Sequence, residues 1–238
     1  MSTEPNFIGL DVSLNHLGIC CLGPDGKLFR WTFLTDTKKF VTEDPTHGNF
    51  YKQPSARSDH PDHFQRIQRF TSFVMSQIRS TEPCAQPCIV NIEGYALNSK
   101  NTRLYETAEL TGHIKVAVVR TDKLRVHDPD TIKLFACNYG HATKEQIYTQ
   151  FMDETGVSVP TTWLKQGKKK ILSGPGTDVA DAYFLARMGW MEHQLRTAQV
   201  KLQELPEHLQ RIFIRETKAY PLNLLDRPYA ELGAKCNA

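Results

Sequence analysis

The sequence predicts a single α/β domain built on a mixed β-sheet, and three features predict it. Residues 7 to 35 read as three short strands in an antiparallel meander, joined by turn chemistry. Two later apolar runs, around Ile92 and Val126, have strand character and are separated by a helical stretch. Apolar residues in the intervening and following segments recur every three or four positions, so helices alternate with those strands, which is the pattern of an α/β layer.

The first strand is Phe7-Ile8-Gly9-Leu10-Asp11, an apolar run that delivers one carboxylate to a tight turn. A second strand follows over 17–23, and Pro24-Asp25-Gly26 is strong turn chemistry. Residues 27–35 alternate Leu28, Arg30, Thr32 and Leu34 against Phe29, Trp31 and Phe33, as a third strand should. From 36 to 61 the chain turns polar and carries Pro45, Gly48, Pro54 and Pro61, so a long loop is expected.

Phe64, Ile67, Phe70, Val74 and Ile78 then mark an amphipathic helix over 62–79 that should cover one sheet face. The run Cys88-Ile89-Val90-Asn91-Ile92-Glu93-Gly94 is a strand that ends, like the first, in an acid. Residues 103–119 are helical in character, with Gly112 read as a close approach of another backbone, and 124–127 form the last strand. Asp128-Pro129 caps and opens a helix that Gly140 stops. Thr143 and Gln146 form a capping box for another helix, which runs to about Glu154. Residues 156–177 read as a lysine-bearing loop, and Asp178 opens a helix with Val179, Ala182, Tyr183, Leu185 and Ala186. Residues 1–190 thus form the expected domain and 191–238 a helical extension, broken at Pro206 and turn-rich from Tyr220.

Composition sets outer bounds. With 238 residues and 40% apolar content the chain can bury a substantial core, and a net charge of +3 means any anionic partner must be met by local clusters. No apolar run reaches the roughly 20 residues of a membrane helix, so a soluble intracellular protein with no membrane partner is expected. The six cysteines are scattered, which points to free thiols. Cys84 and Cys88 lack a second pair at zinc-finger spacing, and His47, His60 and His63 fit no metal template. His16 reads as a loop histidine.

Four acids carry the chemistry. Asp11 and Glu93 each end a core strand, and a bare carboxylate there is costly unless a positive group meets it. A switch point between the first and fourth predicted strands would bring the two together. Asp178 and Asp181, at i and i+3 among Val179, Ala180 and Ala182, share a helix face that can press against the sheet. Taken alone, each acid reads more simply as a surface residue or a helix cap, and Asp178 as the N-cap of its helix. Together, four crowded carboxylates call for cations, and hard oxygen ligands suit magnesium or manganese. Two such ions can promote phosphodiester hydrolysis.

The stretches Gly9-Leu10-Asp11 with Gly18, Ile92-Glu93-Gly94-Tyr95, and Asp178-Val179-Ala180-Asp181-Ala182 resemble the three acidic motifs of the RuvC-type Holliday-junction resolvases, within the ribonuclease H-like superfamily. Leu110-Thr111-Gly112-His113-Ile114 is similar to that family's second long helix, and Lys133 and Lys144 match two basic residues placed near phosphates. The resemblance covers about residues 7 to 190 and implies a ribonuclease H-like mixed five-stranded sheet, an antiparallel meander followed by parallel strands, flanked by helices. It implies a homodimer that grips four-way DNA and nicks two strands symmetrically, with Asp11, Glu93, Asp178 and Asp181 holding two divalent ions. It also implies a wedge after the glutamate, at Tyr95 and Leu97. Val12-Ser13 stands where the family usually has Pro-Gly, the 36–61 loop is long, and about 45 residues follow the last motif, as in a divergent viral, phage or organellar member. The expected location is accordingly the cytoplasm or nucleoid, the host cytoplasm for a virus, or an organelle.

Lys165, Lys168, Lys169 and Lys170, with Trp163 beside them, lie just before the last acidic motif, where they can lay positive charge along DNA or simply form a solvated loop. Two further functions stay open. An actin-like ATPase or sugar kinase also begins with a strand, an aspartate and a turn, though no second glycine-rich phosphate loop is visible. A non-catalytic junction-binding protein would keep the fold and lose the reaction.

Overall fold

The computed structural model describes residues 4–14, 16–35, 48–52, 63–80, 88–94, 104–167 and 169–219. Its strands are β1 (Phe7–Val12), β2 (His16–Leu22), β3 (Leu28–Thr35), β4 (Gly48–Lys52), β5 (Ile89–Glu93) and β6 (Lys123–His127), followed by the pair β7 (Thr162–Gln166) and β8 (Lys169–Ser173). The helices are α1 (His63–Arg79), α2 (Leu104–Val118), α3 (Pro129–Cys137), α4 (Lys144–Thr155), α5 (Pro175–Arg196) and α6 (Glu207–Ala219). The main sheet has the order β4-β3-β2-β1-β5-β6. The meander β1-β2-β3 is antiparallel, and β5 and β6 run parallel to β1. The five expected strands and their mixed directions are therefore present, with β1 and β5 adjacent.

Two segments expected to be loops contain strands. Within 36–61, β4 pairs in parallel with the edge of β3, and Gly48 lies against the indole of Trp31, where a Cβ would fall 1.8 Å from the ring. Five residues set among prolines and polar side chains carry no periodic signal of their own, and pairing with β3 decides their conformation. Within 156–177, β7 and β8 form an antiparallel hairpin with Lys165 opposite Lys170 and a turn containing Gly167 at φ 62°. The lysines hide the β-formers Thr162, Trp163, Leu164, Ile171 and Leu172.

Helix ends follow their capping residues. Asp128 accepts a hydrogen bond from the Asp130 backbone N–H at 3.1 Å, and the Thr143/Gln146 capping box is formed. α5 opens earlier than expected: Gly174 is its N-cap and Pro175 its first residue, so Asp178 sits inside the first turn and is not the cap. α5 also runs past residue 190 to Arg196, while α6 contributes Ile212 and Phe213 to buried apolar clusters. The turn between β1 and β2 is closed by Ser13, whose backbone N–H and hydroxyl both donate to the His16 carbonyl, at 2.9 and 3.0 Å. That is how the chain turns sharply at Val12-Ser13 without a Pro-Gly pair.

Strand alternation divides the core into two layers. Ile8, Leu10, Leu17, Ile19, Val90 and Ile92 face α1 and α2, where Ile67, Phe70, Val74, Ile114 and Val118 meet them. Phe7, Cys20, Leu22, Trp31, Phe33 and Ile89 face α3, α4 and α5. Gly9, Asp11, Gly18 and Glu93 have the parity of this second layer, so both strand-terminal acids share one side of the sheet.

α5 lies directly on that side. A Cβ on Gly9 would stand 1.8 Å from the Ala182 carbonyl oxygen, and one on Gly18 would stand 2.3 Å from the Asp178 carbonyl oxygen. The helix backbone therefore touches the strand backbone at two points, and Cys20 Sγ donates to the Val179 carbonyl at 3.2 Å between them. Toward its C-terminus the helix is held by charge. Glu192 is fully buried, accepts from Arg125 Nε at 2.7 Å and Arg196 Nη2 at 2.8 Å, and so joins β6 to α5. Burial alone would raise the Glu192 carboxyl, but Arg125, His127 and Arg196 outweigh it and hold it below the ordinary glutamate range.

Gly18→Ala is expected to destabilise the chain by about 3 kcal/mol or more, because the clash is with backbone that cannot move aside. Gly140→Ala, with open space around it, should stay within about 0.5 kcal/mol. Urea midpoints for the two variants measure this, and equal midpoints would contradict the close approach.

Candidate active site

Asp11 comes from the end of β1, Glu93 from the end of β5, and Asp178 and Asp181 from the first two turns of α5. The four act on one another. Burial raises the Asp11 carboxyl well above its ordinary range, Asp178, Asp181 and Glu93 add to this, and Lys144 opposes it. Burial, with Asp181 nearby, pushes Glu93 up to about 7 against the pull of Lys133 and Lys144. Asp181 is pushed up to about 6, by burial first and by Asp178, with Lys144 and Lys133 opposing. Burial and mutual repulsion thus both disfavour the ionised forms here, with Lys133 and Lys144 in opposition.

Lys144 is the cation that partly balances it. Its Nζ lies 3.4 Å from Asp178 Oδ1 and 3.7 Å from Asp181 Oδ2, bridging the two helix acids. Burial disfavours the ammonium, but Asp181, Asp178 and Asp11 outweigh that and keep Lys144 firmly protonated. Lys133, on the exposed side of α3, is close enough to act on Glu93 and Asp181. Both lysines therefore act electrostatically on the acids, Lys144 at close range.

His16 joins the site against expectation. It is not a loop residue: it opens β2, with Nδ1 3.6 Å from Asp178 Oδ2 and its ring tilted against Phe33 at 5.7 Å. Its Nε2 is buried and has no hydrogen-bond partner among the described residues. The signal available in the sequence is parity, since His16 and Gly18 are two apart and Gly18 pairs with Asp11.

The remaining candidates divide. Lys165 and Lys170 are exposed on the β7–β8 hairpin, which continues into the start of α5, and the Gly176 backbone N–H donates to the Pro160 carbonyl at 2.9 Å. Lys169 contributes its backbone to β8. Tyr95, Leu97 and Lys168 lie outside the described residues, as do Cys84, His47 and His60. Cys20, Cys21, Cys88 and Cys137 are free thiols.

Among the described residues, no three His, Cys, Asp or Glu side chains converge closely enough to hold a metal ion as they stand. The donor set is nonetheless of the right kind: four oxygen-bearing acids, two of them raised to near neutrality, and an ammonium lodged among them. Hard oxygen donors of this kind suit a divalent ion such as magnesium or manganese.

No protein-family model and no curated protein sequence matches the chain. Solved structures do. A Thermus thermophilus RuvC structure aligns with a TM-score of 0.50 at 18% identity, covering 79% of this chain and 96% of that one. T. thermophilus RuvC in complex with a Holliday junction substrate aligns with a TM-score of 0.52 at 13% identity, covering 80% and 96%. The fold is of the RuvC type. It is a divergent example, with about a fifth of the chain outside the aligned part, and the five-stranded sheet is extended here by the edge strand β4.

The electrostatics have a measurable sign. Glu93 sits at about 7 in the folded chain against an ordinary value of 4.5, so its contribution favours the fold at low pH and is lost as pH rises through about 7. Without divalent ions, Glu93→Gln is expected to stabilise the chain at pH 8 by on the order of 1–3 kcal/mol, with the gain shrinking toward pH 5. Thermal unfolding in chelator at both pH values measures this, and an equal effect at both would show that burial and Asp181 do not raise the Glu93 carboxyl.

Proposed function

We propose that this RuvC-type chain is a metal-dependent, structure-selective DNA endonuclease that resolves four-way junctions as a homodimer, by paired symmetric nicks. The observation that supports it most is the convergence of Asp11, Glu93, Asp178 and Asp181 from three separate elements onto one side of the sheet, with a raised pKa at Asp11, Glu93 and Asp181. Buried acids that repel one another cost stability, and binding divalent cations removes that cost. In this reading the four acids hold two magnesium or manganese ions, whose contribution when bound is Lewis acidity toward the scissile phosphate and toward the attacking water.

The chain's own groups do the rest. Lys144 favours the ionised form of Asp178 and Asp181 by lying between them, and with divalent ions bound it would be placed to meet a phosphate oxygen. Lys133 adds positive charge on the open side of the site, where a DNA backbone must pass. His16 holds Asp178 from the sheet side and fixes its orientation. Lys165 and Lys170, joined in this reading by Lys168 and Lys169, continue the basic path along the hairpin, while Tyr95 and Leu97 supply the wedge at the crossover. The second subunit has a surface available: Tyr105 and Val116 of α2 are 84% and 55% exposed, with Val119 just beyond the helix also open. Residues 191–238 form the extension in this scheme.

Asp11→Asn removes one charge while nearly preserving shape, so it should keep junction binding and lower magnesium-dependent nicking by at least about a hundredfold, beyond the loss typical of an outer ligand. Strand-by-strand mapping of nicks on fixed and mobile four-way junctions, a flap and plain duplex checks it. Full activity of the variant would overturn the assignment, and measurable nucleotide hydrolysis without DNA would favour the actin-like alternative. One observation favours a non-catalytic junction-binding protein, namely Lys144 lodged between Asp178 and Asp181. A wild type that binds junctions but nicks none of these substrates with magnesium or manganese would establish that reading.

A further inference from the structure

Outside the acidic site, the least explained surface is the β7–β8 hairpin. Trp163 is 54% exposed and Leu164 is 55% exposed, an unusual display of large apolar side chains on a two-stranded ribbon. Between Gly156 and Thr177 the chain has four lysines and no acid, so the ribbon is uniformly positive. Cross-strand pairing sets which side chains travel together. Trp163 lies opposite Leu172, and Lys165 lies opposite Lys170. Alternation then places Trp163, Lys165 and Lys170 on the same face of the ribbon. Leu172, paired with Trp163 on that face, is buried in the main apolar cluster, which anchors the ribbon to the core while the indole itself stays exposed.

We propose that this face is a stacking platform for an unpaired base of branched DNA, with Trp163 holding the base and Lys165 and Lys170 holding its flanking phosphates. An indole beside ammonium groups is the combination that binds single-stranded nucleic acid: the ring stacks on any base, and the charges follow the backbone. The two residues from Trp163 to Lys165 span about 7 Å, a reach that lets one nucleotide engage both. The Gly176 N–H to Pro160 carbonyl bond fixes the base of the hairpin to the first turn of α5, which carries Asp178. The hairpin base is thus tied to the helix turn that carries Asp178, which makes DNA at the acidic site the natural source of the base in this proposal. The platform rests on the nuclease reading for its source of unpaired bases, but its binding step is independent of cleavage.

The test uses the full chain with Asp11→Asn, so that no DNA is cut, and two probes: oligothymidylate and a four-way junction. Trp31 is fully buried and Trp190 is only partly exposed, so stacking at Trp163 should dominate any quenching of tryptophan fluorescence. Binding of either probe should quench it. Adding Trp163→Phe should abolish the quenching while keeping affinity within about threefold, whereas Trp163→Ala should weaken binding about tenfold or more. Replacing Lys165 and Lys170 together by alanine should reduce the slope of log affinity against log salt by roughly 1.4 to 1.8. Quenching that survives in Trp163→Phe, or affinity unchanged in Trp163→Ala, would overturn the platform. Equal quenching by plain duplex would overturn the unpaired-base claim. If oligothymidylate binds as described but wild type nicks no branched substrate, the nuclease reading fails and the platform stands. Nicking without quenching by either probe overturns the platform and leaves the nuclease reading intact.

Discussion

The contact on which the rest of the structure depends is the backbone-to-backbone seating of α5 on β1 and β2. It exists because Gly9 and Gly18 lack side chains at the two points where the Ala182 and Asp178 carbonyls lie. Two glycines thus set the distance between a helix and a sheet, and that distance brings Asp178 and Asp181 to the strand-terminal acids. The same helix is held at its other end by a different force, the buried Glu192 with Arg125 and Arg196. A pair of this kind is expensive to leave half-made, so it fixes the helix along its axis as the glycines fix its height.

That seating gathers buried carboxylates around a single ammonium. Asp11 and Glu93 are raised above their ordinary ranges, and Lys144 occupies the position of a counter-ion between the two helix acids. Lys144 is the internal cation of this cluster, held between Asp178 and Asp181. His16 Nδ1 approaches Asp178 from the sheet side at 3.6 Å.

Much of this is legible in the sequence because the governing signals are periodic. Alternation along Phe7-Ile8-Gly9-Leu10-Asp11 and Ile89-Val90-Asn91-Ile92-Glu93 puts both acids on one face, and the i, i+3 spacing of Asp178 and Asp181 does the same on the helix. Capping chemistry at Asp128 and Thr143 locates two helix starts. The features that escape are those decided by distant partners. β4 is a strand because β3 offers an edge, and the hairpin is a hairpin although lysines dominate its composition. His16 resembles a loop residue in the sequence because its partner, Asp178, is far away along the chain.

In our account the carboxylates of Asp11, Glu93, Asp178 and Asp181 form a divalent-cation site. The most direct measurement is anomalous diffraction at the manganese edge from crystals of the full chain grown or soaked with manganese. Anomalous density among these four side chains, with Lys144 moved away from Asp178 and Asp181, is the expected result. Manganese bound elsewhere, or Lys144 still bridging the two aspartates with no density beside them at saturating metal, would contradict it.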